Sequence, residues 1–157
     1  MTNVMFSTEP LEFQKYFISK FSQLSNGKYN VDQGNVKTIH TEYYEVYERS
    51  ETERLKKCRF HFEIRWSGSI PLQKVKALRV AIHIEWSCDS KAPKLTEQLR
   101  AAFSERLQRN TIISEPVTVD HSTEESTIAS IRCILSILEG KSFQNITDKA
   151  KEIIGKD

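Results

Sequence analysis

The sequence predicts a single α+β domain over residues 1–157, with its elements in the order α-β-β-β-α-β-α-α. Three observations carry this. Apolar residues recur at helical spacing through the first 25 residues, with period two from about Val36 to Cys88, and at helical spacing again from residue 93. The links between the long strands, 49–54 and 67–76, are short and polar or carry Gly and Pro. They suit hairpins and are too short for parallel crossovers. A chain of 157 residues, 38% hydrophobic and 28% charged, has the size and composition of one domain that buries its own core.

The elements follow in order. A helix is expected over 9–25. Ser7 or Thr8 caps it, Pro10 sits in its first turn, and Phe13, Phe17, Phe21 and Leu24 share one face. Asn26-Gly27 ends it. Strands follow at 39–48, 58–66 and 78–86. In the second, Cys58, Phe60, Phe62, Ile64 and Trp66 alternate with Arg59, His61, Glu63 and Arg65; in the third, Leu78, Val80, Ile82, Ile84 and Trp86 alternate with Arg79, Ala81, His83 and Glu85. This alternation is that of antiparallel strands with one buried face. A second helix is expected over 93–109, with Leu95, Leu99, Ala102, Phe103 and Leu107 as its stripe. A fourth strand falls at 112–119, where Pro116 marks an edge or a break. The helix at 122–140 opens with Ser122-x-x-Glu125, a capping-box pattern, and closes at Gly140. A short helix at 146–156 ends the chain. The helices at 9–25 and 93–109 are expected to cover the aromatic face of the sheet.

Composition narrows the function. With 23 basic and 21 acidic residues the net charge is +2, which lacks the basic surplus of a dedicated phosphate-backbone binder. Cys58, Cys88 and Cys133 are far apart and form no C-x-x-C pair. They read as reduced thiols of a cytoplasmic protein. The N-terminus lacks the pattern of a secretory signal, and no apolar run approaches the ~20 residues of a membrane span. Asn145-Ile146-Thr147 matches a glycosylation sequon, read as accidental without an export signal.

The most specific pattern is His-x-Glu, present at His40–Glu42, His61–Glu63 and His83–Glu85. Three of the four histidines lie in it. Residues two apart on a strand share a face, here the face opposite the aromatic core set. If the loops at 49–54 and 67–76 centre two hairpins, His40 faces Glu63, Glu42 faces His61, His61 faces Glu85 and Glu63 faces His83. That checkerboard pairs each imidazole with a carboxylate and needs no ion. Imidazole and carboxylate are also zinc ligands, but a checkerboard spreads them over about 10 Å along three strands. No metal and no cofactor is expected.

The order αβββαβ is similar to that of the PD-(D/E)XK nuclease core. That resemblance implies an acid on one strand and an acid-x-Lys on the next, holding Mg²⁺. The nearest match is Glu63-Ile64-Arg65, with Glu42, Glu45 or Glu85 as partner. Arginine stands where lysine belongs, and the strands carry no aspartate. The same order resembles the chaperones of type III secretion, which are acidic where this chain is not. A metal-dependent hydrolase or nuclease using Glu63, Arg65 and Glu85 is therefore the alternative reading. A second alternative is nucleic-acid binding through the basic helix 93–109, where Arg100, Arg106 and Arg109 follow Lys91 and Lys94 but Glu97 and Glu105 interrupt them.

The leading expectation is a small cytoplasmic interaction or adaptor protein that works through a protein surface without catalysis. Its support is the helix at 122–140. Ile128, Ile131, Leu135 and Leu138 form one stripe, and Ala129, Cys133, Ile134 and Ile137 widen it beyond a single core face. Either a second chain covers the surplus, most simply in a homodimer, or segment 143–154 folds back over it. Ile128, Ile131, Ile134, Leu135, Ile137 and Leu138 are the interface candidates. Cys133 is read as a small core residue.

Overall fold

The computed structural model describes residues 10–32, 43–48, 60–66, 70–84, 92–103, 107–108 and 111–155. Its elements are α1 (Pro10–Leu24), β1 (Tyr29–Asp32), β2 (Tyr43–Glu48), β3 (Phe60–Arg65), a 3₁₀ turn (Leu72–Lys74), β4 (Ala77–Ile84), α2 (Ala92–Phe103), β5 (Leu107–Gln108), β6 (Thr111–Thr118), α3 (Glu124–Glu139) and α4 (Lys141–Gly155). The described strands form one antiparallel sheet in the order β1-β2-β3-β4-β6-β5. The α+β class is as expected. The strands β1 and β5 are additions, and with four strands ahead of α2 the order departs from αβββαβ.

α1 ends as its sequence predicts. Asn26 and Gly27 both take positive φ, 55° and 74°. Gly27 N donates to Ser22 O at 2.9 Å and Asn26 N to Gln23 O at 3.0 Å, the paired bonds that close a helix through a left-handed residue. The reversal delivers Tyr29 to the core at once, which is how the four-residue β1 arises.

β3 and β4 keep their alternation: Phe62, Ile64, Leu78, Val80 and Ile82 are fully buried. The 3₁₀ turn between them inserts Leu72 and Val75 into the same core. In β6 the alternation is interrupted. Ile112 pairs with Ile82 and Val117 with Leu78, but the register shifts between Arg79 and Ala81. This bulge absorbs one extra residue of the Ser114-Glu115-Pro116 stretch and returns Val117 to the buried face. Among the described residues β5 pairs with Ile112 and Thr111.

α2 is shorter than predicted, since Leu107 and Gln108 belong to β5 rather than to a helix ending at 109. Of its side chains Phe103 reaches the core. The cap of α3 is also displaced by one residue. Thr123, not Ser122, is the N-cap: its Oγ1 accepts from Ser126 N at 3.1 Å, and Ser126 Oγ accepts from Thr123 N at 3.0 Å. Ser122 N is already engaged by the Asp120 carboxylate at 2.9 Å. α4 begins directly after Gly140 and folds back beside α3, with Phe143 and Ile153 buried. Within it Thr147 is fully buried and donates to Phe143 O, a poor setting for the sequon.

The covering of the aromatic face differs from expectation. α3 lies on the sheet through Ile131, Ile134, Leu135 and Leu138, with α1 to one side and α4 behind. A chain of rings ties these layers together. Phe17 meets Phe21, Phe21 meets Tyr29, Tyr29 meets Phe62 and Phe62 meets Phe143, with centroids 6.2, 6.2, 6.1 and 5.6 Å apart.

Phe62 is the central link. Phe62→Ala is expected to destabilise the protein by about 3–5 kcal/mol in urea unfolding, from lost burial plus the cavity left behind. Thr123→Ala is expected to cost about 1 kcal/mol, the usual worth of an N-cap. A loss at Phe62 no larger than at Thr123 would show that the ring chain is not central.

Candidate functional site

With Phe62, Ile64, Val80 and Ile82 committed to the core, positions 61, 63 and 65 of β3 and 79, 81 and 83 of β4 fall on the other face of the sheet. Glu63 and His83 are therefore on one face, as the triplets suggested. Their register is not the expected checkerboard. His61 pairs with His83, Glu63 with Ala81 and Arg65 with Arg79 across β3 and β4, while Glu45 pairs with Glu63 across β2 and β3. The β3–β4 register is displaced by two residues from the predicted one, so the faces survive and the partners change. Alternation fixes only the parity of a pairing. The turn at 72–74, anchored by Leu72 and Val75, decides the rest. The β2–β3 register is displaced by an odd number, and it aligns Val46 with Phe62. His40, Glu42 and Glu85 lie outside the described residues.

The outcome is a banded face. Positions 61 and 83 make a histidine row, 45, 63 and 81 a row with two glutamates, and 65 and 79 an arginine row. Where ionisable residues stand directly opposite each other they are alike, as in Glu45 with Glu63 and Arg65 with Arg79, which is unfavourable for charged pairs. Attraction instead runs along and diagonally between the strands. Glu63 Oε1 lies 3.6 Å from Arg65 Nε, and Glu63 Oε2 lies 3.9 Å from His83 Nδ1. Ala81 opposite Glu63 is fully buried, and Glu63 is 6% exposed. The carboxylate is thus sunk between the basic rows. Arg65 and His83 are partly exposed, and Arg79 is exposed.

This geometry bears on the alternative readings. Arg65, which stands where the nuclease pattern has lysine, lies 3.6 Å from the Glu63 carboxylate and ion-pairs with it. Among the described residues no three or more His, Cys, Asp or Glu gather at metal-binding range. On α2, Arg100 and Glu97 are both exposed. Arg106 and Arg109 lie outside the described residues.

The interface candidates divide. Ile131, Ile134, Leu135 and Leu138 are buried in this chain's own core, and Ile128 and Ile137 are half-buried. Within this chain the sheet, α1 and α4 pack against them, with Phe143 and Ile153 buried in the same core. The surface left outward on α3 carries Ala129, Arg132, Cys133 and Ser136. Cys133 is a free, exposed thiol rather than a core residue, because it sits opposite the buried stripe through Ile131, Ile134 and Leu138. One histidine escaped the pattern altogether. His121, outside the triplets, is the most deeply buried described imidazole, at 4% exposure.

Arg65→Gln removes a basic contact of the sunken Glu63 carboxylate. We expect a loss of about 1 kcal/mol in urea unfolding, held down by the partial exposure of Arg65. Glu63→Gln with Arg65→Gln should cost less than the sum of the single changes. Strict additivity would show that the two side chains are not coupled.

Comparison of the chain with protein-family models, with curated proteins and with solved structures finds no match.

Proposed function

We propose that this chain is a small cytoplasmic interaction protein that binds an acidic protein surface through the outer face of its sheet and performs no catalysis. The observation behind this reading is the charge balance of that face. Arg65 and Arg79 stand side by side at one end of that face, beyond the row of Glu45 and Glu63, and the Glu63 carboxylate contacts Arg65 and His83. Glu63 is sunk, whereas Arg79 is exposed and offers its guanidinium outward. Arginine on a rigid strand suits carboxylate recognition, since its planar fork is held in place by the backbone beneath it. Charge of this kind favours rapid, selective docking more than raw affinity. The cytoplasmic assignment rests on the three scattered cysteines and the free thiol of Cys133. Among the described residues no helix is long and apolar enough to cross a membrane.

The test is affinity capture from the native cell with the wild-type chain and with Arg79→Glu, followed by binding measurements on the purified partner. Position 79 faces Arg65, so the fold tolerates an acid there. The variant is expected to keep its unfolding midpoint and to weaken binding by about tenfold or more, roughly 1.4 kcal/mol. Wild-type binding should itself weaken as salt rises and the Debye length contracts. A partner held equally well by both proteins would move the binding surface elsewhere.

A further inference from the structure

His121 lies in the link between β6 and α3, and that link is held firmly. Asp120 N donates to Ser130 Oγ at 3.0 Å. Ser122 N donates to Asp120 Oδ1, and Thr123 caps the helix directly after. The fixed backbone presents the imidazole to α1. There it packs on Phe13, centroids 5.3 Å apart, and meets Phe17 edge-on at 5.9 Å. Neither ring nitrogen has a hydrogen-bond partner. Buried polar atoms are nearly always paired, so an imidazole with both nitrogens unmatched is held by its rings alone. It is tolerated only while neutral.

We propose that His121 is an acid-operated latch for α1: its protonation expels the imidazole from the slot between Phe13 and Phe17 and releases the helix from the body of the protein. The charged and titratable groups around this junction come from each packed element. Asp120 in the link favours the imidazolium, and Lys76, ahead of β4, acts on Asp120. On α1, Tyr16 donates to Glu124 of α3 at 3.2 Å, while Glu12 and Glu125 are exposed. Burial outweighs Asp120 and pushes the imidazole down to about 4. The folded value lies below the ordinary ~6.5. Neutral His121 therefore contributes its full stability above about pH 6.5, and the contribution is lost as pH falls from there towards 4.

α1 is the part that opens. It rests on α3, β1 and the 3₁₀ turn, whereas Phe62, Ile64, Val80, Ile82, Ile134 and Phe143, in the same core, belong to the sheet, α3 and α4. Release of α1 exposes Phe13, Phe17 and Phe21 as one stripe.

Hydrogen exchange of the full chain at pH 7 and pH 5, corrected for intrinsic rates, tests this. Linkage between ~6.5 and about 4 predicts that opening of residues 10–24 rises about tenfold or more, with α3 and α4 changing far less. His121→Phe keeps a ring in the slot and should make α1 protection independent of pH. Unchanged α1 protection in the wild type, equal loss across α1, α3 and α4, or a pH response retained in His121→Phe would each overturn the latch. If that variant does not fold, an NMR titration of wild-type His121 decides: a value below 5 supports the latch and an ordinary one overturns it.

Discussion

The contact of Tyr29 with Phe21 on one side and Phe62 on the other is the joint on which the architecture depends. Tyr29 is fully buried although it opens a strand of only four residues. It can reach that position because α1 ends abruptly at Asn26-Gly27, and the two left-handed residues turn the chain back within one turn. The aromatic stripe of α1 is thereby joined to the sheet, and through Phe62 and Phe143 to the last helix. Rings stacked at edges and tilts contribute beyond the area they bury. They also link elements distant in sequence, so the first helix and the last depend on the same central residue.

The two faces of the sheet obey different rules. On the core face any register that preserves parity buries the same kinds of residue, and Phe62 opposite Ile82 packs much as it would opposite Ile84. On the outer face the register decides which charges meet. Here it sets like opposite like, and the sunken Glu63 carboxylate reconciles the rows by reaching Arg65 on its own strand and His83 diagonally. The apolar side supplies the stability that tolerates this arrangement. The polar side carries the individuality of the molecule.

That asymmetry explains what could be read from the sequence. Period was legible, and parity with it in β3 and β4 though not in β2: the Phe13–Phe17–Phe21 stripe, the helix stop at Asn26-Gly27, the buried sets of β3 and β4, and the shared face of Glu63 and His83. Register was not, because it was settled by Leu72 and Val75 anchoring a turn, a tertiary event. β1 was too short to show a period, and the bulge in β6 hid one. The breadth of the apolar stripe on α3 was visible, yet nothing local told whether a partner or α4 would cover it. The cap moved from Ser122 to Thr123 because Asp120 competed for the Ser122 amide. His121 carried no local signal at all; its surroundings come from α1, more than a hundred residues earlier.

The bulge and proline of β6 have a bearing on how the protein behaves in a crowd. Among the described residues β5 pairs with the first two residues of β6, at one edge of the sheet. A strand edge of this kind templates aggregation between copies. Pro116 has no amide hydrogen to offer an incoming strand, and the bulge beside it bends the edge out of line. Glu115 adds a charge to the same stretch. The irregularity that broke the sequence pattern thus also makes this stretch a poor template for strand addition.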